Sequence, residues 1–541
     1  MNGTTLVANY LISNQLGGTK YKWTTLEHNG VLFPPEYTKH NIPIIYDSTE
    51  IILNSDAEEL ATLYAKFIDT DYIKNRIFNK NFWKDWQKVL GPDSPIKSLD
   101  GVDFTLIHDH LLEQKEEKKL LPKDDSKQEQ EEKYKFAIVD GKKQPVGNFR
   151  IEPPGIFLGR GCNPKLGKVK KRIYPEDIII NIGSGEKIPN ALPGHTWRDV
   201  IHDRSVEWLA SWKDDITGKI KYVWLGAHSD FKSKSDMAKF DLARKLKRKI
   251  KEIRRQNAVN MVSTDKHLKQ IATALYFIDN FALRVGNEKG EDETDTVGVT
   301  SLRVEHVVLL DKNQIRLDFL GKDSVRYNRT VTVEPTVYNN IKEFMVDKEP
   351  HDQLFNLINA ADVNKYLHSF MKNLTAKVFR TYNASYLFQK ELKKINMKFA
   401  AYDEADKVNL MLDEFNKANA KVALLCNHQK NITKSSNKQI ENIDRMIKNA
   451  RVKIRKAQAA KKKNPKKIEQ MKATLKKLKA KKALKVELKN ISLGTSKINY
   501  IDPRITVAFL KTNNIPVDKL FSKTLQEKFK WAMDTNNNYI F

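Results

Sequence analysis

A tyrosine on a turn that leads into a helix is the first residue of this chain whose setting could support chemistry. In Leu493-Gly494-Thr495-Ser496-Lys497-Ile498-Asn499-Tyr500-Ile501-Asp502-Pro503-Arg504, Asp502 can cap a helix whose first turn begins at Pro503, which leaves Tyr500 on the turn just before it. A phenol in such a place can serve as a covalent nucleophile. Taken alone, Tyr500 is one of 18 tyrosines, and a core or surface tyrosine is the commoner fate. Other polar residues fall at the ends of regular patterns. Arg284 closes an apolar repeat, Lys322 sits in the turn Gly321-Lys322-Asp323, and His428 ends a helical stretch. Read singly, Arg284 is a helix C-cap cation, Arg380 a surface arginine and His428 a satisfied helix-end histidine. The chain has no Gly-x-x-x-x-Gly-Lys-Ser/Thr, and Gly161 to Lys168 misses it in spacing and in the closing hydroxyl. An EF-hand loop, a His-Glu-x-x-His and a Gly-x-Gly-x-x-Gly are also missing, so action on a polyanion is expected to need no bound nucleotide.

The elements that must position these residues are legible from composition and period. With 541 residues, the chain has room for about three to five domains. At 40% apolar and 9% aromatic residues, it is too apolar for a disordered chain, and no apolar run reaches the ~20 residues of a membrane span. Cys162 and Cys426 stand far apart without metal-ligand spacing, which argues against a disulfide framework or zinc site and fits a reducing compartment. Residues 1–18 carry neither a secretory nor a transit pattern, so an intracellular protein is expected. A net charge of +28 points to a polyanionic partner, nucleic acid first.

That charge is local. Residues 431–490 hold 21 Lys+Arg and 4 Asp+Glu, a net +17. There Ile440, Ile443, Ile447, Ala450, Ile454 and Ala457 recur at spacings of three and four, and Ile468, Met471, Leu475 and Leu478 resume after Asn464-Pro465. The pattern predicts an antiparallel helical hairpin with a thin seam, projecting as a basic arm. Gln114 to Lys135 reads as an exposed helix or linker between two lobes. Before it, Tyr21-Lys22-Trp23, Val31-Leu32-Phe33-Pro34-Pro35 and Phe82-Trp83-Lys84-Asp85-Trp86 supply aromatics for one small mixed core. After it, Phe136–Val139 and Asp177–Ile180 read as short strands. Lys232 to Arg255 is a basic amphipathic helix, and Leu268, Ile271, Leu275, Ile278, Ala282 and Val285 mark a core helix ended by Gly286-Asn287. Alternation over Val304–Leu310, Ile315–Phe319 and Val325–Val333 predicts a three-stranded meander with Lys322 at a turn. The helical period returns beyond Asp362.

Longer phrases carry a family resemblance. In order they are Lys22-Trp23 with Leu26-Glu27-His28; Ile151-Glu152-Pro153-Pro154-Gly155; Gly159-Arg160-Gly161; Pro175-Glu176-Asp177-Ile178-Ile179-Ile180-Asn181; and Ala282-Leu283-Arg284-Val285-Gly286-Asn287-Glu288. They continue with Phe319-Leu320-Gly321-Lys322-Asp323-Ser324, Thr375-Ala376-Lys377-Val378-Phe379-Arg380-Thr381-Tyr382-Asn383, Leu425-Cys426-Asn427-His428, and Asn499-Tyr500 after Gly-Thr-Ser-Lys. Over nearly its whole length the chain resembles the eukaryotic-type IB DNA topoisomerases. The resemblance implies relaxation of positive and negative supercoils by single-strand cleavage, a 3′-phosphotyrosyl intermediate, rotation and religation, with no cofactor, no metal and no ATP.

By motif, the resemblance implies Tyr500 as nucleophile, with Arg284, Lys322, Arg380 and His428 completing the catalytic set. Their types suit an in-line displacement, in which charge gathers on non-bridging oxygens and fixed donors must meet it. Two arginines do so without losing protons, His428 adds a hydrogen bond, and Lys322 can protonate the departing 5′ oxygen. Arg172, Asp323 and Asn499 match positions where the family lines the cleaved site and where camptothecin-type poisons lodge. Lys232 and Lys377 are further expected DNA contacts.

The implied fold is α+β and multidomain, a bilobed DNA clamp. Residues 1–222 form a mixed α/β cap lobe and 223–431 a mainly helical catalytic domain with the small meander. Residues 432–489 form the hairpin linker and 490–541 a small helical C-terminal domain bearing Tyr500. The implied partner is double-stranded DNA, held as a monomer largely through phosphates, with no membrane and no nucleotide cofactor. The match begins at Lys22-Trp23, without the long charged extension of the family's large cellular members. Nuclear import is then expected from internal runs such as Lys461-Lys462-Lys463-Asn464-Pro465-Lys466-Lys467, the alternative being a viral replication compartment. A tyrosine recombinase is a competing reading, but its second arginine usually ends His-x-x-Arg, whereas here it ends Lys377-Val378-Phe379-Arg380. A non-catalytic DNA clamp is the other alternative.

Overall fold

The computed structural model describes residues 21–120, 131–287, 290, 293–402, 406–430, 434–459 and 464–541, without the side chains of 434–436. The segment read for targeting signals, the middle of the polar stretch (121–130), Glu288, Asn431 and Lys461–Lys463 lie outside them. The chain divides into two compact units, 1–235 with 289–295, and 236–288 with 296–541.

In the first unit, a seven-stranded sheet runs in the order Leu26–His28, Phe136–Val139, Lys142–Gly147, Ile220–Leu225, Trp208–Lys213, Ile179–Asn181, Asp199–Ile201. All neighbours are antiparallel except the last two, which are parallel. Asp177 belongs to a 3-10 turn, Pro175–Asp177, and the strand read at 177–180 begins at Ile179. The aromatics expected to share one core fall into two. Trp23 and Val31 pack with Ile178, Ile180, Leu209 and Trp212 on the sheet. Phe78, Phe82 and Trp86 stack at i, i+4 and i+8 on helix Arg76–Leu90, fully buried with Tyr64 and Phe104. Each contributes about 2–3 kcal/mol of burial. Both cores form because a helical stripe and a sheet face each need their own partner layer.

The second unit is mainly helical. From Asp236 on, helix Asp230–Asn260 belongs to this unit, and it turns Phe240, Ala243, Leu246, Ile250 and Ile253 inward. Helix Lys266–Phe281 ends four residues earlier than its apolar repeat suggests, because Ala282 takes the left-handed conformation (φ 49°). Leu283 to Gly286 then run outside any regular element, and Arg284 and Val285 accept backbone bonds from Val299 and Thr300. The meander forms with strands Val307–Leu310, Gln314–Gly321 and Val325–Thr332, and Val304–His306 is a 3-10 turn before it. Helices Ala376–Lys398 and Lys407–Leu425 follow. The basic segment is a helical hairpin, Lys434–Ala459 and Pro465–Glu487, broken where Asn464 caps a helix that starts at Pro465. Gln439 bonds Lys485 and Asp444 pairs with Lys482, which fixes the antiparallel sense. Ile443, Ile447 and Ile454 are buried in its seam and join none of the larger cores.

His28 ties the first unit's sheet together. Its Nε2–H donates to the Asn181 carbonyl (3.0 Å), and Gly30 N–H donates to Nδ1 (3.0 Å), so the ring is held neutral. Burial lowers its pKa from 6.5 to about 4, against a smaller opposing effect of the Asn181 carbonyl. The unfolded chain therefore takes up a proton here below pH 6.5 that the folded chain refuses until about 4, and stability falls as pH drops through that window. Replacing His28 with Gln is expected to shallow the decline of melting temperature between pH 6.5 and 4, as followed by scanning calorimetry.

Candidate active site

Tyr500, Arg284, Lys322, Arg380 and His428 all belong to the second unit. Arg284, Lys322, Arg380 and His428 line one small cleft of about 120 Å³, with Asp323, Asn427 and Thr495. Tyr500 is off that lining but adjoins it, its ring 5.1 Å from the Arg380 guanidinium and 5.1 Å from the His428 ring.

Backbone geometry explains these placements. Arg284 lies three residues past the end of its helix, on the irregular segment that follows, rather than on the helix end. There Gly286 (φ +94°) and Gly298 cross so closely that a Cβ on Gly298 would come 2.4 Å from the Gly286 Cα. Only glycine at both positions permits that crossing, which holds the Arg284 backbone against Val299. Lys322 leads the three-residue loop closing the Gly321–Val325 hairpin, where Asp323 (φ 67°) and Ser324 (φ 57°) are both left-handed. The Lys322 side chain is exposed. His428 follows helix Lys407–Leu425 in a Schellman cap, with Asn427 left-handed (φ 54°), Asn427 N–H bonding Leu424 O and His428 N–H bonding Ala423 O. Tyr500 is the C-cap of a short helix, Leu493–Asn499, that its sequence period did not reveal, and Asp502 caps helix Pro503–Thr512 as its sequence suggests.

Arg380 projects from the first turns of helix Ala376–Lys398 and is 4% exposed. Its Nη1 donates to Ala282 O and its Nη2 to Cys426 O (3.1 Å), the carbonyls that end the two neighbouring helices. Its Nε is buried without a partner, and no carboxylate pairs with it among the described residues. Both ring nitrogens of His428, 7% exposed, also lack a partner among the described residues. Burial first, then Arg380 and Arg284, lower the His428 pKa from 6.5 to about 3, so the imidazole is neutral and a poor base at pH 7. Burial alone would raise the Tyr500 phenol, but the charges of Arg380 and Arg284 outweigh it and the net shift is downward. Such a cleft suits an oxyanion, with fixed cations, unused donors and an acidified phenol beside it. A larger groove of about 660 Å³ lies on helices 376–398 and 407–425, but its lysines 394, 421, 398 and 417 are already paired with Glu391 and Glu414.

The remaining expected DNA contacts divide. Lys377 and Asn499 are exposed in the second unit, the Asn499 amide tied to Thr495 O (3.1 Å), and Asp323 lines the cleft. Arg172 and Lys232 belong to the first unit. There Arg172 pairs with Glu59 (2.7 Å) and donates to Pro35 O, and Lys232 pairs with Glu207 (3.5 Å) over the Trp224 ring. Sequence reading missed Ser385, whose hydroxyl donates to the Tyr500 carbonyl and accepts from the Asp502 N–H; it stands two residues beyond Asn383, in the same helix as Arg380.

The site sets a tyrosine beside the carbonyl-held Arg380, next to a cleft that Arg284, Lys322 and His428 also line. Three family profiles match in chain order: "Eukaryotic DNA topoisomerase I, DNA binding fragment" over residues 21–225, "Eukaryotic DNA topoisomerase I, catalytic core" over 228–461, and "C-terminal topoisomerase domain" over 472–541. Similar proteins include DNA topoisomerase 1 alpha of Arabidopsis thaliana, 43% identical over 97% of this chain and 60% of its own length. DNA topoisomerase 1 of Caenorhabditis elegans is 43% identical over 96% of this chain and 68% of its own length. The Homo sapiens DNA topoisomerase 1 is 42% identical over 95% and 71%. The chain belongs to the eukaryotic DNA topoisomerase I family and carries its DNA-binding, catalytic-core and C-terminal parts.

A buried guanidinium without a counter-ion costs several kcal/mol of stability. Replacing Arg380 with Met is expected to raise the melting temperature of the DNA-free protein, and to reduce the further rise that added sulfate brings, both read by calorimetry.

Proposed function

We propose that this chain is a type IB DNA topoisomerase with Tyr500 as its nucleophile. The observation that carries the reading is the phenol held 5.1 Å from a buried Arg380 that no carboxylate neutralises among the described residues. The Tyr500 phenol loses its proton to solvent and its oxygen attacks the scissile phosphorus, the P–O5′ bond breaks, and the strand's 3′ end stays esterified to the enzyme. Arg284 and Arg380 meet the charge on the non-bridging oxygens as the phosphorus becomes pentacoordinate. His428, neutral, serves as a hydrogen-bond donor rather than a base. Lys322, exposed at its hairpin tip, gives a proton to the departing 5′ oxygen. The ester keeps the phosphodiester energy, so the reverse attack reseals the strand without ATP or a metal ion.

On this reading the chain closes round duplex DNA as a bilobed monomeric clamp. Its parts are a cap lobe (1–222), a catalytic domain (223–431), the hairpin (432–489) and a C-terminal domain (490–541). Contacts are mostly to phosphates, among them Lys377, with Asp323 and Asn499 near the cleaved site. Arg172 and Lys232 join them once DNA phosphates displace their carboxylate partners. Its site of action is the nucleus, consistent with the eukaryotic relatives. No helix among the described residues is long and apolar enough to cross a membrane.

Purified protein in EDTA without ATP is expected to relax negatively and positively supercoiled plasmid, and the Tyr500→Phe variant to bind DNA without relaxing it. Failure of the parent to relax, with binding intact, would leave a non-catalytic clamp. Replacing His428 with Gln should slow cleavage by about 10²–10³-fold in a single-turnover assay, with DNA affinity unchanged. The hairpin's charge should drag on the rotating duplex, so deleting residues 434–485 is expected to flatten the salt dependence of binding and speed relaxation.

A further inference from the structure

We propose that Ser385 is a positioning residue that sets the distance between the Tyr500 nucleophile and Arg380, an inference that rests on the nucleophile reading above. Ser385 is fully buried in the interior of helix Ala376–Lys398. Its hydroxyl donates to the Tyr500 carbonyl (3.0 Å) and accepts from the Asp502 N–H (3.0 Å). One side chain thus uses a donor and a lone pair to hold the two peptide groups on either side of Ile501, the residue that follows Tyr500 in the link to Asp502.

That link needs an outside support. Tyr500 to Asp502 is all that joins helix Leu493–Asn499 to helix Pro503–Thr512. The Tyr500 and Ile501 N–H groups both bond Ser496 O (3.0 Å each), which anchors the link from the upstream side. Asp502 is fully buried and its carboxylate is held by Arg504 and the Tyr539 hydroxyl, which anchors it downstream. The Tyr500 carbonyl and the Asp502 N–H between these anchors are served by Ser385. Without it, both are backbone groups in a dry interior, and the link would shift to find partners.

Ser385 also shares its helix with Arg380. Five residues along an α-helix rise about 7.5 Å, a distance that the helix's own hydrogen bonds keep constant. The guanidinium beside the phenol and the hydroxyl behind it therefore ride on one rigid body, and the geometry of attack is set within that body. Arg380 is itself fixed by the Ala282 and Cys426 carbonyls. In the same helix Asn383 donates to the Asp279 carbonyl, locking the helix against Lys266–Phe281. A displacement of about 1 Å at a reacting group can cost about 100-fold in rate.

The test is single-turnover cleavage of a DNA whose cut strand dissociates and traps the covalent product. It is run across pH for the full chain with Ser385, Ser385→Ala, Ser385→Cys and Tyr500→Phe. Expected are a rate about 10–100-fold lower for Ser385→Ala and a half-maximal pH shifted upward, because a loosened phenol moves away from the guanidinium charges that acidify it. DNA affinity, measured for each Ser385 change in a Tyr500→Phe background, should equal that of Tyr500→Phe alone. Ser385→Cys fills the same space with a poorer donor and acceptor, so it should fold and shift the profile in the same direction. It decides the question if Ser385→Ala does not fold. A parental rate and profile in either variant, or a slower rate with an unmoved pH profile, overturns the inference. Cleavage by Tyr500→Phe would instead overturn the nucleophile reading, and this inference with it.

Discussion

A guanidinium buried without a carboxylate is the constraint on which the rest of the catalytic unit depends. Arg380 is 4% exposed and spends two of its nitrogens on the end carbonyls of two helices, Ala282 and Cys426. A charge in that setting could lower its own cost by pairing with an acid, yet the surrounding elements supply none among the described residues. What they supply is position. Helix Lys266–Phe281 stops at a left-handed Ala282, helix Lys407–Leu425 stops in a Schellman turn, and both stops present carbonyl oxygens to Arg380. The partial negative charge at two helix C-termini thereby holds the cation in place without neutralising it. The remaining attraction is left for a ligand's oxyanion.

The same two arginines act on Tyr500 and His428 in one direction and with different results. Added positive charge favours the ionised form of a phenol and disfavours the ionised form of an imidazole. Both pKa values therefore fall, Tyr500 becoming easier to deprotonate and His428, for which burial is the larger cause, being driven to about 3. Burial reinforces the effect on histidine and opposes it on tyrosine. The outcome is a division of labour: an imidazole held neutral at pH 7 beside a phenol whose pKa lies below its ordinary value.

The sequence made some of these elements legible and left others hidden, for identifiable reasons. The hairpin was legible because Asn464-Pro465 punctuates a three-four repeat, and Asn464 does cap the second helix. The meander was legible because alternation and turn residues agree, and Lys322 falls in the predicted turn. Asp502-Pro503 marked a helix start that the structure keeps. The end of helix Lys266–Phe281 was hidden, since Ala282 and Val285 extend the apolar period while the backbone leaves the helix to cross at Gly286 and Gly298. That crossing is a contact between distant segments, and no periodicity encodes it. The aromatic residues of the first unit gave the number of rings but not their partition between helix stripe and sheet face. Ser385 was hidden for a related reason, because a small residue in a helix interior carries no local signal and its partners lie 115 and 117 positions away.

The placement of the site residues follows from where backbones can be stopped. Arg284, Lys322, His428 and Tyr500 all stand at or just beyond the end of a regular element, and only Arg380 lies within one. Element ends are where a chain can change direction, so four segments can bring one side chain each to a point that no single helix could serve. The cost is backbone strain at Ala282, Asp323 and Asn427, each left-handed without being glycine. Strain of that kind persists only where surrounding bonds over-determine the conformation. Here they are the Schellman bonds beside Asn427, the hairpin ladder flanking Asp323 and the Arg380 contact at Ala282. The helix that carries Arg380 therefore fixes one strained end directly and, through Cys426, braces a second. A regular element in the middle makes the irregular ones around it affordable.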